Sequence, residues 1–124
     1  MLGHAFVNRI LPWIYEGGSS GVGLGFVSHG FAKHPLNAWT GYVALVGIGG
    51  GHFVWGVARW MGWTPVGSDK KAKRRWRSIN GIAAGFIGLW MAGGLGVVGR
   101  GGLADGWVGK GYDALYEKIP LVKL

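Results

Sequence analysis

The sequence predicts an all-α membrane protein built on an antiparallel transmembrane helix hairpin, and three observations carry that prediction. No charged residue interrupts Ala38 to Ala58, a tract long enough to cross the hydrocarbon of a bilayer as a helix. A second apolar tract runs from about Ile79 to Gly99. Between them sits the densest run of positive charge in the chain, the pattern that sets topology in membrane proteins. The composition agrees. Twenty-seven glycines and eight tryptophans in 124 residues suit neither a small soluble domain nor a disordered chain, which avoids tryptophan and long apolar runs. Membrane helices use glycine to bring backbones close together.

Other classes fall away on residue counts. There is no cysteine, so disulfides, thiolate nucleophiles and cysteine-held zinc or iron–sulfur centres are excluded. Five acidic residues are scattered along the chain, which leaves little for hydrolytic acid–base chemistry. The Gly109-Lys110 pair is followed by Gly111 and no strand precedes it, so it is not a phosphate-cradling loop. The chain reads as a single transmembrane helical domain without enzymatic activity. It comprises an N-terminal helical and loop region (1–35), the hairpin (36–100) and a surface tail (101–124).

Met1 to Tyr15 has helical periodicity, with Phe6, Ile10 and Trp13 or Ile14 on one side. Asn8 and Arg9 argue against a full crossing, so an interfacial or partly inserted helix is expected, or the end of a longer one. Pro12 should end or bend it. Glu16 to Gly25 reads as a connector or a re-entrant passage. One or two helical turns are expected from Phe26 to Lys33. His34 precedes a proline and should be extended, with the main helix starting after Pro35 and Asn37 as its N-cap.

The first crossing is expected at about 38–61, with Trp39 and Tyr42 at one interface and Trp60 and Trp63 at the other. Thr64 to Ser68 should break it. Asp69 to Arg77 then holds six basic residues, Lys70, Lys71, Lys73, Arg74, Arg75 and Arg77. It is expected to be a solvated loop on the positive side of the membrane, where it also suits anionic lipid headgroups. Nucleic acid is a poor partner for it, since only Trp76 interleaves the charges. If the positive-side rule applies, this loop and the two chain ends face opposite compartments.

The second crossing, about 79–99, carries Ala84, Gly88, Ala92 and Gly96 every four residues, with Gly81 and Gly85 alongside. Gly47 and Gly51 make a GxxxG pair on the first crossing. These small residues predict close helix packing within the hairpin, or with other subunits or a second copy. By that reading Gly88→Leu separates the two helices. In the tail, Tyr112, Leu115, Tyr116 and Ile119 share one side of a short amphipathic helix suited to a membrane surface, which Pro120 should stop.

Histidines are the residues best suited to a ligand. His52, Gly56, Arg59 and Trp63 share a face of the first crossing, and an ionisable group at membrane depth invites a functional reading. One reading is a hydrogen bond across the bundle. The other is an axial ligand to haem b, with Gly56 leaving room for the macrocycle and Arg59 pairing with a propionate. The second crossing has no histidine, so a second ligand would come from His4, His29, His34 or another chain. His29 and His34 near their proline also form a weak metal pair. No metal site and no assured cofactor follow from any of these.

His4, Asn8-Arg9, Pro12, Ser28-His29-Gly30, Pro35, Trp39-x-x-Tyr42, His52-x-x-x-Gly56 and Arg59 together resemble the MCP-type mitochondrial adapter transmembrane domain of fungi. The resemblance covers most of Met1 to Gly99 and corresponds to the later part of such a domain. It implies a helix-bundle protein of a mitochondrial membrane, the outer rather than the inner, acting in lipid homeostasis. It also implies service as a receptor for a bridge-like lipid-transfer protein at contact sites. More remotely, the His52 segment is similar to the haem-bearing helix of succinate dehydrogenase and fumarate reductase cytochrome b anchors. That likeness implies haem binding, as an anchor or accessory subunit of an electron-transfer complex.

Overall fold

In the computed structural model, which describes residues 2–119, every regular element among the described residues is helical. The first stretch runs without a break through α1 (Leu2–Ala5), a π-helical turn (Phe6–Ile10) and α2 (Leu11–Glu16). Pro12 therefore does not end this helix. Proline has no N–H for the usual bond and its ring crowds the carbonyl four residues back. The turn just before it is widened, with the Leu11 N–H bonded to the Phe6 carbonyl, and this gives the ring room. Gly17, in the left-handed region at φ 72°, closes the helix.

After a glycine-rich connector comes α3 (Leu24–Lys33), longer than the turns expected. His34 leaves the helical region, as a residue before proline should, but at φ −126° and ψ 60° it is not the extended residue expected. Its carbonyl accepts from the Ala38 N–H at 3.0 Å, so α4 (Pro35–Trp60) opens at Pro35. Asn37 consequently lies inside the first turn and is not its cap. Proline suits that first position because its missing N–H has no partner to lose there.

The far end of α4 closes on Gly62, at φ 68°. The Gly62 N–H bonds the Arg59 carbonyl at 3.1 Å and the Trp63 N–H bonds the Ala58 carbonyl at 2.8 Å, the paired capping bonds that only a left-handed residue allows. The helix thus stops before Thr64. Asp69 then caps α5 (Lys70–Trp90), its carboxylate accepting from the Ala72 N–H at 2.7 Å. The basic run is therefore not a loop. It forms the first two turns of the second long helix, which continues through a π-helical turn (Met91–Leu95) into α6 (Gly96–Val98). Last comes α7 (Gly106–Tyr116), which starts inside the glycine-rich stretch. The stop expected at Pro120 lies outside the described residues.

Two of these helical stretches, Pro35–Trp60 and Lys70–Val98, are long and apolar enough to cross a membrane. Only 17% and 11% of their apolar windows are covered by the rest of the chain. The core helix of a soluble protein would be mostly covered, whereas a crossing helix leaves that surface to lipid.

The chain packs as two units. In the hairpin unit (43–93), α4 and α5 run antiparallel. Val46, Gly50, Val54 and Ala58 are buried every fourth residue along α4. Val54 and Ala58 join Ile79 and Ala83 of α5 in one apolar cluster, flanked by Trp55 and Phe86. The other unit (1–42 and 94–124) gathers pieces distant in sequence. Its core is Leu11, Phe26, Leu115 and Ile119, with Val7, Val22, Val27, Tyr112 and Tyr116 around it. The apolar side of α7 is spent on this core, where a surface-lying amphipathic helix was expected.

Candidate functional site

Each unit holds one arrangement with chemical character. In the unit of residues 1–42 and 94–124 it is centred on Ser28-His29-Gly30 of α3. His29 is 2% exposed. Its Nδ1 accepts from the Ala104 N–H at 3.1 Å. A ring nitrogen that accepts carries no proton, so the proton sits on Nε2, which donates to Asp113 Oδ1 at 2.8 Å. Lys33 Nζ reaches the same oxygen at 2.6 Å. The Lys33 ammonium first, and the His29 N–H second, hold the Asp113 carboxyl below its usual range.

The neighbours of His29 do related work. Ser28 Oγ donates to the Val98 carbonyl at 2.7 Å. Gly30 has no side chain because the Tyr116 ring occupies that space. Tyr116 stacks on Phe26 with ring centroids 4.5 Å apart, and its hydroxyl donates to the Phe26 carbonyl at 2.9 Å. Burial raises the Tyr116 hydroxyl well above the ordinary phenol value. Three consecutive residues thus tie α3 to α6, to the connector before α7 and to α7 itself. This is a structural clasp with all its polar groups satisfied.

In the hairpin unit the arrangement is a cationic cleft. Lys70, Lys73, Arg74, Arg77 and Ser78 line a depression of about 390 Å³. Lys71 and Arg75 do not line it. The six cations treated alike in the sequence are therefore divided between two faces of α5. Asp69, the acid next to them in sequence, spends a carboxylate oxygen on the Ala72 N–H.

The other expected site residues are placed as follows. His52, Gly56 and Arg59 are exposed on α4, off the line of Val54 and Ala58 that meets α5. The α5 helix brings no histidine to them. His29 has both ring nitrogens engaged and cannot ligate a metal without losing Ala104 or Asp113. His34 packs its ring on Tyr116 at 5.6 Å. His4 sits edge-on to Tyr42 at 5.8 Å, with Nδ1 3.3 Å from Asn8 Nδ2. No group of three histidine, aspartate or glutamate side chains suited to a metal occurs among the described residues. Haem binding is not supported by these placements.

The small residues also fall elsewhere than expected. A side chain at Gly47, Gly51, Gly81, Gly85 or Gly88 would meet nothing within 4 Å, and Ala84 and Ala92 are exposed. The close approach is at Gly50, where an added Cβ would lie 2.7 Å from Ile87 Cγ1. Two faces of each helix carry small residues, and helical spacing alone cannot say which one is turned inward. The π-helical turn at Met91–Leu95 also shifts the register, which takes Gly96 off the line through Ala84 and Gly88.

The polar residues that do most, Asp113, Lys33 and Tyr116, had no functional reading in the sequence. His29 and Asp113 are 84 residues apart, and no local signal joins them.

Residues 1–103 match the family described as MDM10-complementing protein 1, transmembrane domain. The chain belongs to this family. It is a family of mitochondrial membrane proteins and not a known enzyme family. The match takes in both long helices, the basic run and Ser28-His29-Gly30, and leaves the clasp partners Ala104, Asp113 and Tyr116, with all of α7, beyond its end. No curated protein and no solved structure matches the chain.

Proposed function

We propose that this chain is a non-enzymatic, multi-pass protein of the mitochondrial outer membrane, of the adapter type, acting in lipid homeostasis or in the assembly of a membrane complex. Its membership of the family named for complementing MDM10 carries this reading. Two features support it. The apolar surface of both long helices is left uncovered by the chain, so lipid or another membrane subunit covers it. The polar groups of the clasp all satisfy one another, an arrangement that holds the chain together and does not poise a group for reaction. On this reading the exposed α4 face with His52, Gly56 and Arg59 is open to a partner subunit or a second copy.

The test is expression of the chain in cells lacking the MDM10 protein, with tags at both ends and within residues 63–68. Restored growth, with carbonate-resistant chain in intact mitochondria and at least one tag open to added protease, is the expected result. Correct insertion without restored growth overturns the functional reading. Insertion with every tag protected until the outer membrane is ruptured overturns the choice of membrane.

A further inference from the structure

We infer that the first two turns of α5 hold the phosphate of an anionic phospholipid, with its acyl chains lying down the outer face of the same helix. The inference rests on the reading of the chain as a membrane protein and is independent of the adapter role.

Four cations, Lys70, Lys73, Arg74 and Arg77, recur at intervals of three and four and line one cleft with the Ser78 hydroxyl. None of the four takes part in an ion pair among the described residues; both pairs there involve Asp113. Like charges gathered on one face repel one another, and a phosphate relieves that repulsion. Arginine offers it paired N–H donors and lysine a compact charge. Helix register puts this face opposite the buried Ala72, Ile79 and Ala83, so packing against α4 leaves the cleft open.

What continues below the cleft identifies the ligand. On the same line of α5 follow Gly81, Ala84, Gly85 and Gly88, all exposed, and the three glycines have open space where a Cβ would stand. The result is a shallow apolar strip bordered along one edge by the exposed Ile82 and Leu89. A nucleic acid would need the positive charge to continue, and a small soluble anion would need no track. A phospholipid needs charge at the membrane boundary and an apolar surface running inward from it. The small residues expected to pack helix on helix serve here as the bed for an acyl chain.

The experiment uses the full chain in phosphatidylcholine nanodiscs, with a fluorescent long-chain phosphatidic acid as the probe. Lys73→Gln with Arg74→Gln removes two charges from the cleft, and Lys71→Gln with Arg75→Gln removes two from beside it. The first pair should weaken binding at least tenfold and the second less than threefold. Unlabelled phosphatidic acid should displace the probe, and inorganic phosphate at the same concentration should not. Gly85→Leu should weaken the long-chain probe while sparing a short-chain one.

Equal loss from the two charge pairs means diffuse attraction and overturns the site. Displacement by inorganic phosphate means a free-anion site and overturns the lipid assignment. An unaffected Gly85→Leu variant overturns the acyl track. Unchanged helical circular dichroism excludes misfolding in each variant. Growth restored by a chain that shows no selective lipid binding at the cleft sinks this inference alone. Lipid binding without restored growth sinks the proposed function alone.

Discussion

The two units are held together by opposite means. The hairpin relies on apolar side chains fitted along a seam, Phe53 stacked on Phe86 at 5.5 Å among them, with one weak side-chain bond across it among the described residues, Trp55 Nε1 to Asn80 Oδ1 at 3.4 Å. The other unit relies on directional contacts: a histidine with both nitrogens engaged, and a buried serine and a half-buried tyrosine bonded to backbone carbonyls. The difference follows from connectivity. Two helices joined by a short turn and both spanning the membrane are already nearly aligned, and close packing suffices. Pieces from opposite ends of the chain have no such alignment, and hydrogen bonds of fixed direction set their register.

The comparison can be broken most severely at Gly109. A Cβ there would strike the Ala104 carbonyl, which is backbone and cannot swing aside. Gly109→Val should cost about 3 kcal/mol by overpacking, lowering the melting of the residue 1–42 and 94–124 unit in detergent while leaving the hairpin intact. Next is Asp113→Ala, which leaves the buried His29 N–H without its acceptor and should cost ~2 kcal/mol in the same melt. Asp113→Asn, which keeps an acceptor oxygen, should recover part of that loss.

The hairpin is sharpened by a pair of variants. Gly50→Leu drives a side chain into Ile87 and should cost ~1–3 kcal/mol, whereas Gly88→Leu meets open space and should cost nearly nothing. Cysteines replacing Trp55 and Asn80 report the outcome. A short bifunctional cross-linker should join them in the Gly88→Leu background and fail in the Gly50→Leu background. The smallest effect is acid sensitivity. The Asp113 carboxyl is held below its usual range, so its contribution is complete above the unfolded-state value near pH ~4. It is lost as pH falls through the lower folded-state value. The melting of its unit should therefore hold steady down to about pH 4 and drop below it, the hairpin cross-link should not respond, and Asp113→Asn should abolish the dependence.

These predictions also mark how much was legible beforehand. The two crossings, the break in the helix before Pro35 and the amphipathic pattern around Leu115 could be read directly, because each is a local property of a few residues. Asp69 was counted with the basic run when it is the cap of a helix containing that run. His52 draws attention by its depth in an apolar tract, whereas nothing near His29 in sequence announces that both its ring nitrogens are engaged, by Ala104 and Asp113.

By itself the sequence determined the helical class, which two segments suit a bilayer, and where the positive charge gathers. Transfer free energy, helix length and proline geometry act residue by residue and need no partner. Only the tertiary structure decided that Gly50, and not Gly88, lies in the seam, that Asp113 answers His29, and that four of six cations share one cleft. A helix with small residues on two faces offers two interfaces of similar quality. The fit of side chains across the gap chooses between them, and that fit belongs to both surfaces at once.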